Sequence, residues 1–203
     1  MFARYTTVRG DRTKIEPAIE YVDGEARTAV EAAPGNLGFV VLADPGSGQI
    51  VAGSYWDGAQ SMRASEAPLA LTRAEASSIL DGRISLERFG VLIGFRQSIP
   101  GRGAVARMSR FQIRTERVEE LITLVSEETA PQVKGSAGLC SFQLLINRRS
   151  GSGAVLTAWE NRTAAEDFWP TAEKLRARTG DRVGARFSPP DTLTVIRTTV
   201  RLG

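Results

Sequence analysis

The stretch AVLTAWENRTAAEDFW, residues 154–169, sets Trp159, Asn161, Trp169 and the carboxylates Glu160, Glu166 and Asp167 where a strand gives way to a helix. Paired carboxylates can do acid–base work. Acids in the first turns of a helix also complement its dipole, and that is the simpler account of these three. Asn161 reads in two ways, as a polar group aimed at a substrate or as the N-cap of a helix that Arg162 begins. The only cysteine, Cys140, lies inside the apolar run LCSFQLLI and reads as a small buried hydrophobe rather than a nucleophile. With no histidine in 203 residues, the usual zinc sets, a His-ligated haem and a Ser-His-Asp triad cannot be assembled. P-loop, Ca²⁺-loop and dinucleotide-binding glycine patterns are also missing, and no metal site is expected.

The elements that must position these groups show in the hydrophobic pattern. FARYTTV reads as a strand, and a helix follows from about Lys14 to Ala33, with Ile15, Ile19, Val22, Ala26 and Val30 on one face. Thr13 and Glu16 have the spacing of a capping box. LGFVVLA and IVAGSYW form a hairpin around Asp-Pro-Gly-Ser-Gly; a second helical region and the strand FGVLIGFRQ follow. The later half repeats this order with ARMSRFQI, a helix carrying Val118, Leu121, Ile122 and Val125, the hairpin CSFQLLI and AVLTAW, a helix from about Thr163 to Arg178, and TLTVIRTTVRL.

Sliding the chain against itself by 103 residues, without a gap, matches Arg4 with Arg107, Glu16 with Glu119, Val22 with Val125, Phe39 with Phe142, Gly48 with Gly151 and Trp56 with Trp159. About 18 of roughly 98 pairs are identical, against about 7 from composition, which reads as a duplication. Each copy is β-α-β-β-α-β, so the expected class is α+β: tandem ferredoxin-like repeats at 1–97 and 105–203 around a linker at 98–104.

A net charge of +3 is spread among 26 basic and 23 acidic residues, the pattern of a solvated surface rather than a nucleic-acid face. GNLGFVVL at 35–42 lacks the leading basic residue and the stacking rings of an RNA-binding strand. No run approaches the roughly 18 apolar residues that span a bilayer, and MFARYTTVRGDR lacks a signal peptide's apolar middle. No nucleic acid or membrane partner is expected, and the cytoplasm is the expected compartment.

The order of elements, the strands ending in Trp56-Asp57 and Trp159-Glu160, and the following NRTAAEDFW resemble the antibiotic biosynthesis monooxygenase-like proteins of the dimeric α/β-barrel superfamily. The resemblance covers each copy nearly end to end. It implies that the two copies supply both halves of one barrel, and it leaves room for a homodimer. It also implies a cofactor-independent monooxygenase acting on a planar aromatic or quinol-type small molecule. The alternative is a non-catalytic small-molecule-binding or structural protein of the same fold. Haem degradation in such proteins uses an axial His that this chain lacks, so that role is disfavoured.

In the oxygenase reading no cofactor is needed, because an electron-rich substrate anion held dry can itself reduce dioxygen. Rings to sandwich a planar substrate and an Asn or Arg to stabilise a developing oxyanion are then needed, and Asn161, Trp169 and Arg107 are the catalytic candidates, with Trp159, Phe168, Tyr55, Trp56 and Arg4 as substrate-binding groups. The first copy has Gly58 where Asn161 stands and Ser65-Glu66 where Phe168-Trp169 stand, so the second copy is the favoured site. Plainer readings stand beside these. Trp56 and Trp159 pack the strand–helix junction, Arg4 and Arg107 are surface ion-pair partners, and Trp169 packs an interface.

Overall fold

The computed structural model describes residues 1–200. Its chain forms two compact units, Met1–Arg88 with the chain from Thr194 on, and Phe89–Leu193. The first unit contains β1 (Phe2–Arg9), α1 (Ile15–Tyr21), α2 (Arg27–Glu31), β2 (Asn36–Asp44), β3 (Gln49–Trp56), α3 (Ala59–Ala64), α4 (Ala70–Ile79) and the start of β4 (Arg83–Arg96). The second contains the rest of β4, then β5 (Val105–Gln112), α5 (Val118–Leu124), α6 (Ala130–Lys134), β6 (Leu139–Ile146), β7 (Ser152–Trp159), α7 (Arg162–Asp167), α8 (Trp169–Val183), β8 (Arg186–Phe187) and the start of β9 (Asp191–Thr198).

The molecule is α+β, and its sheet pairings are antiparallel. In the first unit β3 lies between β1 and β2, with Phe2 opposite Trp56 and Arg9 opposite Gln49; β2 also pairs with the later residues of β9, Val40 opposite Thr198. In the second unit β7 lies between β5 and β6, and the later residues of β4 pair with β6, Gly90 opposite Ile146. Each unit's sheet therefore incorporates part of a strand that the chain shares with the other unit. Polar residues in RISLER at 83–88 hide the start of β4 from a hydrophobicity reading, which sees only FGVLIGFRQ.

The 103-residue interval recurs in the elements: β1 begins at Phe2 and β5 at Val105, β3 ends at Trp56 and β7 at Trp159. Gly48 and Gly151 take up the same left-handed conformation in their hairpin turns, φ 66° and 71°. A Cβ at Gly151 would lie 1.9 Å from the Ile113 carbonyl, so a side chain is sterically barred there.

The long helix expected over 14–33 is interrupted. A π turn at Val22–Ala26 joins α1 to α2, and Val125–Thr129 joins α5 to α6 in the same way. The apolar spacing Val22, Ala26, Val30 suits either helix type, so the sequence alone does not reveal this turn. The capping box expected of Thr13 and Glu16 does not form. Asp11 caps instead, its Oδ1 accepting from the Thr13 backbone N–H at 2.8 Å and from the Thr13 hydroxyl at 2.7 Å.

The helix expected from Thr163 to Arg178 is divided at Phe168, where α7 stops and α8 starts. Pro170 sits in the first turn of α8, where a missing N–H costs no intrahelical bond. Each unit buries its own apolar cluster between sheet and helices. Ile19, Val41, Trp56 and Leu80 belong to the first, and Leu121, Phe142, Leu144 and Trp159 to the second. Among the described residues, no helix is long and apolar enough to cross a membrane.

Candidate binding site in the second unit

A cavity of about 70 Å³ lies in the second unit between the sheet and the helices. Its apolar wall is Val125, Val133, Phe142, Trp159, Phe168 and Leu175, and Arg107, Trp169, Arg176 and Phe187 also line it. The π turn contributes to this space: Val125 and Thr129 line it ahead of Val133 on α6. The first unit holds an equivalent but smaller cavity of about 40 Å³, lined by Val22 and Ala26 of its own π turn, by Val30 of α2, and by Phe39, Arg4 and Arg73.

Four of the residues singled out from sequence meet at the larger cavity. Trp159 is fully buried, its indole N–H donating to the Thr157 hydroxyl at 2.9 Å, and Phe168 packs on it with ring centroids 4.9 Å apart. The Arg107 guanidinium lies over the Trp169 ring, 4.7 Å from its centroid. Arg176, on α8, approaches the same ring at 5.5 Å and Phe187 at 5.3 Å. The resulting sequence Arg107–Trp169–Arg176–Phe187 alternates cation and ring, an arrangement that attracts through the ring quadrupoles.

The electrostatics of these cations are unusual. Among the described residues, no atom accepts a hydrogen bond from the Nε or Nη1 of Arg107, or from the Nε of Arg176, although all three atoms are buried. Burial pulls the pKa of Arg107 below the usual arginine value; Glu166 opposes this and Arg162 adds to it. Burial lowers that of Arg176 as well. Buried N–H groups of a cation without an acceptor are costly, and they mark a place where a ligand oxygen would be stabilised.

The other candidates lie elsewhere. Asn161 does not line this cavity; its Oδ1 accepts from the Ala164 backbone N–H at 2.9 Å, capping α7, and its side chain borders a separate open depression with Ser136, Glu160 and Asp167. Trp56 is fully buried in the first core and donates to the Ser54 hydroxyl at 3.0 Å. Tyr55 is also fully buried, its hydroxyl bonded to that of Tyr5, and it lines neither cavity.

Arg4 is not a surface ion-pair partner. It is 2% exposed, stacks over Trp56 at 5.3 Å, and donates to the Met62 carbonyl at 3.2 Å and the Ser65 hydroxyl at 3.0 Å. Burial, reinforced by Arg73 and Arg88, pushes its pKa down to about 10. Surface pairing is wrong here because the residue sits on the helix-facing side of β1, under α3.

The residue that sequence reasoning overlooked is Arg176, with its counterpart Arg73. Both fall at the 103-residue interval and are identical. A charged residue repeated on the sheet-facing side of a helix was the available signal. Among the described residues, no three His, Cys, Asp or Glu side chains cluster as metal ligands.

No protein-family model matches the chain. An uncharacterized protein of Mycobacterium tuberculosis, Rv2557, is 26% identical over 177 residues, 87% of this chain and 79% of that protein. Among solved structures, an anthrone oxidase-like protein superposes with a TM-score of 0.72 at 14% identity, covering 97% of this chain and 92% of the other. A ferredoxin-fold protein from Listeria monocytogenes related to antibiotic biosynthesis monooxygenases gives 0.56 at 12% identity, over 97% and 95%. A heme-degrading enzyme from the same species gives 0.55 at 13% identity, over 96% and 99%. At these identities the likeness is one of fold alone: the chain shares the α+β fold of these structures.

Proposed function

We propose that the cavity of the second unit binds a small planar aromatic or quinol-type molecule, and that the protein is a cofactor-independent monooxygenase. We also propose that its halves arose by duplication, a reading supported by the π turns and hairpin glycines that recur at the same interval. The observation that carries the functional reading is Arg107, half-buried with its Nε and Nη1 buried and without an acceptor, lying against Trp169 at a largely apolar cavity.

An aromatic ring gains from apolar burial and from stacking on Trp169 and Phe168. Arg107 then meets the oxygen on which negative charge gathers once the substrate loses a proton. Such an anion, kept from water, transfers an electron to dioxygen. Recombination and loss of water convert a ring CH₂ and O₂ into a carbonyl and H₂O, with no metal or flavin required. The size of the cavity constrains how the ring enters. An engineered cavity of about 150 Å³ is what accommodates benzene, so a ring enters a space of about 70 Å³ only when the Trp169 and Arg176 side chains move outward.

A specific observation supports the second reading, non-catalytic binding. The titratable side chains lining the cavity are both arginines, and no carboxylate among the described residues lines it to act as a general base. Catalysis therefore requires a substrate acidic enough to ionise without a carboxylate in the cavity wall.

Dioxygen uptake by the purified protein, without added metal or flavin, against anthrones and dihydroquinones separates the two. Uptake above the protein-free rate, lost in Trp169→Ala and Arg107→Met, supports the oxygenase. Rates equal to the blank, with ring binding retained, support a binding protein.

A further inference from the structure

The two cavities share most of their lining at matching positions, and the second adds the rings of Phe168, Trp169 and Phe187 where the first unit has Ser65, Glu66 and Ile84. In the first unit Arg4 Nη1 donates to the Ser65 hydroxyl, and that hydroxyl in turn donates to the Met62 carbonyl at 2.8 Å. Ser65 is 5% exposed, so this bond is made out of water. In the second unit the position equivalent to Ser65 is Phe168, which carries no oxygen, and the equivalent of Arg4 is Arg107, whose Nε and Nη1 have no acceptor. The second arginine of each pair differs less, since Arg73 Nη1 and Arg176 Nε both lack a partner while each donates one bond to a backbone carbonyl.

We propose that the Arg4 cavity of the first unit is the same ligand site in a self-occupied form, with the Ser65 hydroxyl standing where a ligand oxygen binds Arg107 in the second unit. Of the positions that differ, Ser65/Phe168 is the one that supplies or removes an internal acceptor for the arginine, and it is thus specificity-determining. It decides which unit takes a ligand, and the chain binds one ligand, not two. The ligand it selects presents an oxygen acceptor, preferably anionic, beside an aromatic ring, because a charged donor gains most from a charged acceptor. Replacement of Ser65 by Phe168 does two things together. It removes the internal acceptor and adds a ring that packs on Trp159. This inference rests on reading the second cavity as a ligand site.

The test uses 4-nitrophenolate, whose absorbance shifts when the anion leaves water, titrated into the full chain and two variants. Phe168→Ala removes the ring and leaves Arg107 without an acceptor, whereas Phe168→Ser removes the same ring and restores a hydroxyl at the position Ser65 occupies. The wild-type chain is expected to bind one equivalent. Phe168→Ser is expected to bind at least about tenfold more weakly than Phe168→Ala, the scale of one hydrogen bond to a charged group. A purely structural role for Phe168 predicts equal affinities for the two variants, and that result overturns the proposal while leaving the second cavity as a ligand site.

Two equivalents bound by the wild-type chain overturn it without any variant, which covers a failure of either variant to fold. No binding of 4-nitrophenolate to the wild-type chain overturns both this proposal and the reading it rests on.

Discussion

Arg107→Met should raise stability while abolishing ligand affinity, the reverse of what a structural arginine would do. Two buried nitrogens of Arg107 lack acceptors, and leaving each unsatisfied costs about 1–3 kcal/mol. The side chain is only half-buried, which places it at the low end of that range. Its stacking on Trp169 returns about 0.5–1 kcal/mol. Methionine keeps much of the apolar contact and carries no charge, so the expected net gain is about 1 kcal/mol. For a chain of this length that is roughly 2–4 °C in Tm.

Arg4→Met supplies the internal control. Arg4 has acceptors in Met62 and Ser65, so its removal breaks two bonds and brings no comparable relief. Urea unfolding of both variants, compared at unchanged m value, reads the difference. A stability increase for Arg107→Met that exceeds the change for Arg4→Met by about 1 kcal/mol agrees with the reasoning. Equal changes, or a loss for Arg107→Met, would refute the claim that Nε and Nη1 of Arg107 are held without acceptors.

Further expectations follow from single contacts. Asn161→Ala should lose the α7 cap and about 1 kcal/mol of stability in a thermal melt, with no change in affinity for 4-nitrophenolate, because the side chain does not line the cavity. The hydrogen bonds from Thr13 hold the Asp11 carboxyl below its usual pKa. A carboxylate depressed in the folded state contributes stability above its unfolded pKa and loses it as pH falls through the folded value. Asp11→Ala should therefore unfold at lower urea than wild type at neutral pH, and the gap should close in acid. Cys140 is buried, and burial pushes its thiol pKa up, so iodoacetamide should label it far more slowly in the native protein than in urea, as mass spectrometry would show.

Strand and helix order was legible in the sequence because apolar periodicity and turn glycines agree in both halves. Gly48 and Gly151 do occupy hairpin turns with positive φ. Features set by local competition were not legible. Asp11 and Thr13 both have cap chemistry, and only the geometry of the 3-10 turn at Arg12–Lys14 selects Asp11. The π turns hide in a spacing of four that an α-helix also allows.

The site was half legible. Trp169, Phe168, Trp159 and Arg107 lie on the lining of one cavity, whereas Asn161 was ambiguous from the start and its cap bond is what the structure shows. Tyr55 was misleading because alternation along β3 fixes which side chains share a face, but not which face carries the cavity. Arg176 was hidden because a lone arginine on a helix reads as solvated until its burial beside Trp169 is seen.

The most direct test of the central claim is a crystal structure of the protein soaked with 4-nitrophenolate. The account predicts one bound molecule per chain, its phenolate oxygen within hydrogen-bond distance of Arg107 and its ring stacked against a displaced Trp169. A molecule bound only elsewhere, with Arg107 still without an acceptor, would contradict it.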